Sequence, residues 1–446
     1  MRLDGKTLAQ ATGGTLVRDG AAGQILTDTR RLDTGSWFLA LKGDRFDGHD
    51  FLGAAREAGA IGCIVSERAD QVSGGAVVVE DTTRAFQDLG RHVRRQLQVP
   101  VVALTGSSGK TTTRALIALA ISDLGPVHQT VGNLNNHLGV PMTLLATPED
   151  SAALVVEMGT SSPGEIALLA DIARPRVRLF LNVGPAHLLE LGGLEGVARE
   201  KGKLFATMGS DDVAVVNLDD PWVASRPVPG RRVTFGQGGD IGVLEAILEP
   251  ATLRTRVVFA TPSGRIDCLL PAPGDHMAHN AAAALAVAHA LDLDLHRAAA
   301  SMEHYAPVGM RMRREVLPNG VIALNDAYNA NPQSMEASLK VLAACPGRRV
   351  AVLGDMLELG ADEAHWHAKI GQLAVALRLD LVVLIGPLMG RATVPEATAY
   401  AQVQDAVEPL RSYLRAGDHV LVKGSRGARM ERILQALRDE PSSGDP

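Results

Sequence analysis

Val101-Val102-Ala103-Leu104-Thr105-Gly106-Ser107-Ser108-Gly109-Lys110-Thr111-Thr112-Thr113 decides how this chain is read. The apolar run predicts a buried strand, the glycine–serine stretch a turn, and Gly109-Lys110-Thr111 opens an alanine- and leucine-rich helical pattern. Small residues let backbone N–H groups wrap around phosphates, and the N-terminus of the following helix favours negative charge. Lys110 is placed to neutralise outer phosphates, and the Thr111 hydroxyl to ligate magnesium. With Thr105, Gly106, Ser107, Ser108, Gly109 and Thr112 they form a candidate site for a nucleoside triphosphate. The commoner G-x-x-x-x-G-K-[ST] pattern has glycine where this chain has Leu104. A plain strand-to-helix turn would explain Gly106 and Gly109, but not the lysine and threonines behind them.

Outward from this loop the chain divides into three α/β regions. Before it, residues 36–41, 61–65 and 76–79 read as short strands, with helices at 51–59 and 83–97; Pro100 sets the first boundary near residue 99. After it, residues 152–156, 177–183 and 212–217 read as buried strands separated by helices at 163–173 and 194–208. Such alternation predicts a mostly parallel sheet with ligands at the strand C-termini. Residues 232–270 suggest an antiparallel excursion, followed by an alanine-rich helix at 280–291. A third pattern begins near Pro307, with strands at 321–324, 349–353, 380–385 and 419–422 and helices at 332–344, 363–377 and 427–437. The expected fold is therefore α/β with three domains: a small N-terminal α/β domain (1–99), a central P-loop parallel-sheet ATPase domain (100–307) and a C-terminal Rossmann-like domain (308–446). The tail at 439–446 is expected to be disordered.

Bulk properties exclude several classes. With 446 residues, 46% apolar and 21% charged, the chain is globular and too long for one ordinary core. A net charge of −6 without long basic blocks argues against a nucleic-acid partner or an anionic membrane surface. No apolar span predicts stable membrane insertion, and Met1 to Lys6 leads into no apolar signal core. Cys63, Cys268 and Cys345 form no C-x-x-C pair, which excludes a disulfide framework and a cysteine zinc site. A cytoplasmic monomer is expected.

Other residues carry chemistry once the phosphate loop is accepted. Glu157 ends an apolar strand, where a carboxylate is suited to magnesium. His187 follows the next strand; alone it reads as a structural histidine, but Lys201 and Lys203 lie one short helix downstream. A buried lysine that loses its proton can add carbon dioxide and become an anionic carbamate, whereas the bland reading is a solvated basic face. His279 or Asn280 could cap the alanine-rich helix, and Asn280 could instead read a base edge. Asn325-Asp326-Ala327-Tyr328-Asn329-Ala330-Asn331-Pro332 joins an aromatic ring to amides after a strand; it is a turn or a nucleoside contact. Arg311 could bring positive charge to a phosphate at the junction of the last two regions.

Taken together, these residues resemble the Mur ligase family, ATP-dependent amide-forming enzymes of bacterial cell-wall precursor synthesis. The resemblance covers almost the whole chain in order, and the family's shortened phosphate loop accounts for Leu104. It implies that ATP is held by Thr105 to Thr112, Asn280, Arg311, Tyr328 and Asn329. It also implies that Thr111, Glu157 and His187 bind magnesium. The family's carbamylated lysine corresponds best to Lys201, with Lys203 the other choice. Lys110, His187 and Lys201 are then the catalytic candidates. Gly132-Asn133-Leu134-Asn135-Asn136-His137-Leu138-Gly139-Val140-Pro141 resembles a substrate loop, which brings in Asn133, Asn135 and Asn136. Leu353 to Gly360 and Val422-Lys423-Gly424-Ser425-Arg426 complete the pattern and add Lys423 and Ser425. Asp28-Thr29-Arg30 and Phe46-Asp47-Gly48-His49-Asp50-Phe51 resemble segments that hold a uridine diphosphate sugar, adding Asp47 and His49. The implied partners are a UDP-N-acetylmuramoyl-tripeptide, whose carboxylate is activated as an acyl phosphate, and D-alanyl-D-alanine. The Asp-Asn-Pro-Arg signature of the relative that adds a diamino acid is absent. A folate-directed relative would lack the sugar-nucleotide segments, and a P-loop motor or switch would carry the full glycine pattern. A regulatory sensor of sugar nucleotides would bind both ligands without joining them.

Overall fold

The strand Val101–Thr105 is buried along its length, and within it the chain passes from one folding unit to another. The computed structural model describes residues 1–43, 46–392 and 394–439. Residues 440–446 of the expected disordered tail lie outside the described residues. One unit comprises Met1–Leu104, Leu124–Thr160 and Gly164–Arg178; the other comprises Thr105–Asp123, Ser161–Pro163 and Leu179–Pro446.

The first unit opens with a five-stranded sheet in the order Thr15–Arg18, Gly75–Val78, Gly62–Val65, Trp37–Leu39, Ile25–Leu26. Only the Thr15–Arg18 edge is antiparallel. Trp37 is fully buried and donates its indole N–H to the Ala21 carbonyl at 2.9 Å. Its ring lies on Gly62 and Gly75, where a Cβ would fall 2.6 and 2.4 Å from ring carbons, so the indole fits only over glycine. Helix Thr82–Gln96, capped by Asp81, packs on helices Gly139–Leu145 and Glu165–Ala173. Arg91 reaches Asp171 at 2.7 Å and Arg94 the Ala173 carbonyl at 2.7 Å, so this helix is tied by charge as well as by its apolar face. Beside it, Val127–Gln129, Ala153–Glu157 and Val101 to Leu104 pair in parallel.

The second unit begins at Thr105. Leu181 N–H donates to the Thr105 carbonyl at 2.9 Å, next to strand Val213–Asn217 and then Arg231–Phe235. The last pair is parallel, so residues 231–235 close the parallel sheet, and the expected antiparallel excursion from residue 232 begins only at Gly242. It is a meander of Gly242–Glu249, Arg254–Thr261 and Gly264–Leu270. The alanine-rich helix is Asp275–Ala290, starting five residues before the expected position, with Gly274 at its N-cap. Four polar residues in its first six (Asp275, His276, His279 and Asn280) hid the start, and His279 and Asn280 are therefore interior rather than caps. Its buried alanines allow close approach to helix Lys110–Ala120.

The C-terminal sheet runs Arg313–Val316, Ile322–Asp326, His419–Lys423, Arg349–Gly354, Leu381–Ile385, Thr398–Tyr400. All four expected strands are its parallel interior, packed on both faces by aliphatic clusters around Leu339 and Leu353 on one side and Val352 and Leu434 on the other. The edges were not read from sequence. Arg313-Arg314-Glu315-Val316 is antiparallel and charged, as an exposed edge tends to be, and Thr398–Tyr400 is only three residues long. Helix Pro332–Ala344 begins where expected: Pro332 presets the first turn, and Asn331 and Ser334 form a reciprocal capping box.

Candidate active site

In the second unit, the phosphate loop is held by a residue outside it. Asn182 Oδ1 accepts the backbone N–H groups of Ser107 and Ser108 at 3.1 and 3.0 Å, and its Nδ2 donates to the Ser108 carbonyl at 3.2 Å. Ser107 Oγ donates to the Gly184 carbonyl at 3.0 Å and accepts the Gly184 N–H at 2.9 Å. Gly109, at φ 78°, turns the chain into helix Lys110–Ala120. A Cβ there would lie 2.7 Å from Asn280 Oδ1, so glycine is required twice over: for its positive φ and for the closeness of Asn280. Asn280 is thus brought against the loop. Lys110 Nζ donates to the Gly106 carbonyl at 2.7 Å, folding its ammonium back over the loop, and Thr111 is buried at the start of the helix. Burial raises the pKa of the Tyr305 phenol.

Three further contacts bring the C-terminal lobe to this unit's loops. Ser108 Oγ donates to Gln333 Oε1 at 2.9 Å. Leu188 N–H donates to the Glu358 carbonyl at 3.3 Å, and His187 Nδ1 lies 2.8 Å from Glu358 Oε2. That last approach is an ion-pair contact and not an aligned hydrogen bond. His187 holds the Glu358 carboxyl below its ordinary range. Arg311 stacks over the Tyr328 ring at 4.0 Å, and the Tyr328 N–H donates to the Met310 carbonyl at 3.2 Å, so these two candidates are neighbours. Asn329 is exposed, and its carbonyl accepts from Lys423 Nζ at 3.1 Å. Lys423 is buried and paired with Asp326, whose carboxylate also accepts from Ser338 Oγ at 2.7 Å and the Met312 N–H at 3.0 Å. Ser425 Oγ accepts the Leu357 N–H at 2.9 Å and donates to the Ala330 carbonyl at 3.3 Å. Lys423 and Ser425 therefore brace the Tyr328–Asn329 loop. Lys201 is 1% exposed on helix Leu194–Ala206, whereas Lys203 is part-exposed and pairs with Glu200 at 2.6 Å.

The first unit holds the remaining candidates. Glu157 is buried at the end of its strand and accepts from Asn135 Nδ2 at 2.9 Å; its own N–H donates to Thr130 Oγ1 at 3.0 Å. Asn136 Oδ1 accepts the Gly139 N–H at 2.9 Å, and Asn133 is exposed. Asp28 caps the turn Thr29–Arg31 and makes a two-pronged pair with Arg30, at 2.9 and 2.7 Å, which holds its carboxyl down to about 2. Asp47 accepts the His49 N–H at 2.9 Å and faces His49 Nδ1 at 2.6 Å; these bonds hold its carboxyl well below the usual range. Ser66 N–H donates to His49 Nε2 at 3.0 Å, so Nδ1 carries the ring proton toward Asp47. Both ring nitrogens are committed and Lys42 bridges Asp47 and Glu67 at 3.3 and 3.4 Å, so a lysine ammonium already supplies the positive charge in this acidic cluster.

Asn182, Gln333, Glu358 and Tyr305 were missed in the sequence. Asn182 and Glu358 lie within the strand at 177–183 and the segment Leu353 to Gly360, where no local pattern gives them a role because their partners are distant in the chain. Gln333 read only as the start of a helix.

A strand-loop-helix phosphate cradle, an asparagine against its glycine and a buried lysine one helix past a histidine define a class. Residues 23–103 match the Mur ligase family catalytic domain, 104–288 the Mur ligase middle domain and 310–426 the Mur ligase glutamate ligase domain. The chain belongs to the Mur ligase family, and it is an ATP-dependent ligase. It is 37% identical to the UDP-N-acetylmuramoyl-tripeptide--D-alanyl-D-alanine ligase of Escherichia coli over 93% of each chain. A crystal structure of MurF from Acinetobacter baumannii superposes with a TM-score of 0.92 at 34% identity, covering 99% of both chains. MurF from Thermotoga maritima in complex with ADP gives 0.84 at 29% identity, over 93% of this chain and 97% of that one. Among the described residues, no helix is long and apolar enough to cross a membrane.

Proposed function

We propose that this chain joins D-alanyl-D-alanine to a UDP-N-acetylmuramoyl-tripeptide, using ATP, in peptidoglycan precursor synthesis. The observation that carries the reading is the phosphate loop locked by Asn182 and closed by Asn280, together with identity of 37% over nearly the full length to a ligase of that name. The proposed domains are 1–99 for the sugar nucleotide, 100–307 for ATP and 308–446 for the dipeptide and part of the nucleotide, in a cytoplasmic monomer.

In this reading the tripeptide carboxylate attacks the γ-phosphorus of ATP and the bond to ADP breaks, giving an acyl phosphate. Lys110 and the loop N–H groups stabilise charge that develops on the transferring phosphoryl group. The dipeptide amine then attacks the acyl carbon, phosphate leaves and the nitrogen loses a proton. Arg311 and Tyr328 form a stacked platform for nucleotide contacts, and Asp28, Thr29, Arg30 and Asp47 hold the sugar nucleotide; His49, expected beside them, is buried with both ring nitrogens committed and instead shapes the segment. Asn133, Asn135 and Asn136 form the substrate loop.

The donor set suits a hard cation: the Thr111 hydroxyl and Glu157 carboxylate offer oxygen and His187 a ring nitrogen. Magnesium bound there would neutralise phosphate charge. Carbon dioxide adds to an uncharged lysine amine, and a carbamate on buried Lys201 would offer such a site anionic oxygens where an ammonium offers none. Incubating the protein with UDP-N-acetylmuramoyl-tripeptide, D-alanyl-D-alanine and ATP should give the pentapeptide product by mass spectrometry. ATP consumption with no such product would refute the substrate assignment.

A further inference from the structure

Glu358 sits on a turn that is pinned on both sides. The Met356 N–H donates to His367 Nε2 at 2.9 Å, the Leu357 N–H to Ser425 Oγ at 2.9 Å, and Leu359 is buried. Glu358 itself takes a left-handed backbone, φ 66°, and so does His187 opposite it, φ 54°. Neither is glycine, and such conformations cost of order 1–3 kcal/mol unless the surroundings impose them. The two segments are joined twice, by the main-chain bond from Leu188 to the Glu358 carbonyl and by the contact of the side chains. An exposed ion pair between mobile side chains contributes little; here a main-chain bond joins the two segments beside the side-chain contact.

We propose that Glu358 is a positioning residue for His187: it takes Nδ1, fixes the ring's tautomer and orientation, and leaves Nε2 as the nitrogen that faces a divalent cation. The proposal rests on the ligase reading in taking His187 as a metal ligand. Histidines that bind metals usually donate their other ring N–H to a carboxylate or carbonyl, and removing that partner weakens metal affinity by about 10- to 100-fold. The off-axis contact fits a site whose catalytic hydrogen bonds align only when it is loaded. Because Glu358 comes from the C-terminal lobe, the ligand geometry of His187 is complete only while the turn at Leu357 to Gly360 is docked on Leu188 and Leu189.

Mn2+ serves as the probe, with the full-length protein, bicarbonate and a non-hydrolysable ATP analogue. Electron paramagnetic resonance gives the affinity, and electron spin-echo modulation reports imidazole nitrogen bound to the ion. Wild type should show histidine nitrogen coupling, and His187→Ala should lose it. Glu358→Ala should bind Mn2+ about tenfold more weakly, with reduced coupling. Glu358→Gln, which keeps the shape of the side chain, should fall between and carries the test if the alanine variant does not fold. Wild-type affinity and coupling in the folded Glu358 variants, with loss in His187→Ala, would overturn the proposal alone. Wild-type behaviour in His187→Ala would overturn the metal reading of His187 and this proposal with it.

Discussion

Asn182 Oδ1 accepts two successive phosphate-loop N–H groups, those of Ser107 and Ser108. One side chain thereby sets the curvature of a loop 74 residues earlier in the chain. Removing it in Asn182→Ala leaves the Ser108 N–H without its acceptor, at a cost of about 1–3 kcal/mol, while the Ser107 N–H keeps the main-chain carbonyl of residue 182 at 3.1 Å. Asn182→Asp retains the acceptor but sets negative charge beside the phosphates. The alanine variant should show a lower melting temperature and weaker ATP binding. The aspartate variant should melt near wild type and still bind ATP poorly by calorimetry. Wild-type ATP affinity in both would refute a role for Asn182 in the loop.

Gly109 tests the same loop from its other side. Gly109→Ala forces a Cβ to 2.7 Å from Asn280 Oδ1 on a backbone at φ 78°. The left-handed conformation alone costs about 1–2 kcal/mol for a residue with a side chain. Adding Asn280→Ala relieves the contact but not the backbone strain. The double variant should therefore recover part of the lost melting temperature and none of the lost nucleotide affinity. Full recovery of both would show that Asn280 makes no nucleotide contact.

Lys201→Ala should cripple turnover while changing the melting temperature little, and Lys203→Ala should retain most activity, since Lys203 is part-exposed and paired with Glu200. Wild-type enzyme depleted of carbon dioxide should lose activity and regain it with bicarbonate. Undiminished activity after depletion would remove the carbamate from the account.

The cysteines give a prediction about protonation. Burial pushes the thiols of Cys63 and Cys345 up to about 11 and that of Cys268 up to about 12. The thiolate is the reactive form, so the native protein at pH 8 should be alkylated slowly at all three and rapidly only when unfolded. Fast labelling of one cysteine in the native protein would contradict the packing around it.

Much of the fold was legible because buried parallel strands are continuous apolar runs. Ala153–Glu157, Val213–Asn217 and Arg349–Gly354 lie within a residue of where the pattern places them. The charged edge strand Arg313–Val316 carries no such signal, and the polar first turns of Asp275–Ala290 concealed a helix start. In the site, groups close in sequence to the phosphate loop were readable from spacing. Asn182, Gln333 and Glu358 were not, because they act through contacts between distant segments that no local pattern encodes. Lys423 and Ser425 were readable as members of a motif, but that they brace the Tyr328–Asn329 loop from below emerged only with their partners Asp326 and Ala330.

The most direct test is phosphate release from ATP by purified protein with UDP-N-acetylmuramoyl-tripeptide, with and without D-alanyl-D-alanine. The account predicts slow release with the tripeptide alone and strong stimulation by the dipeptide, one phosphate per bond formed. Release that the dipeptide leaves unchanged would contradict it.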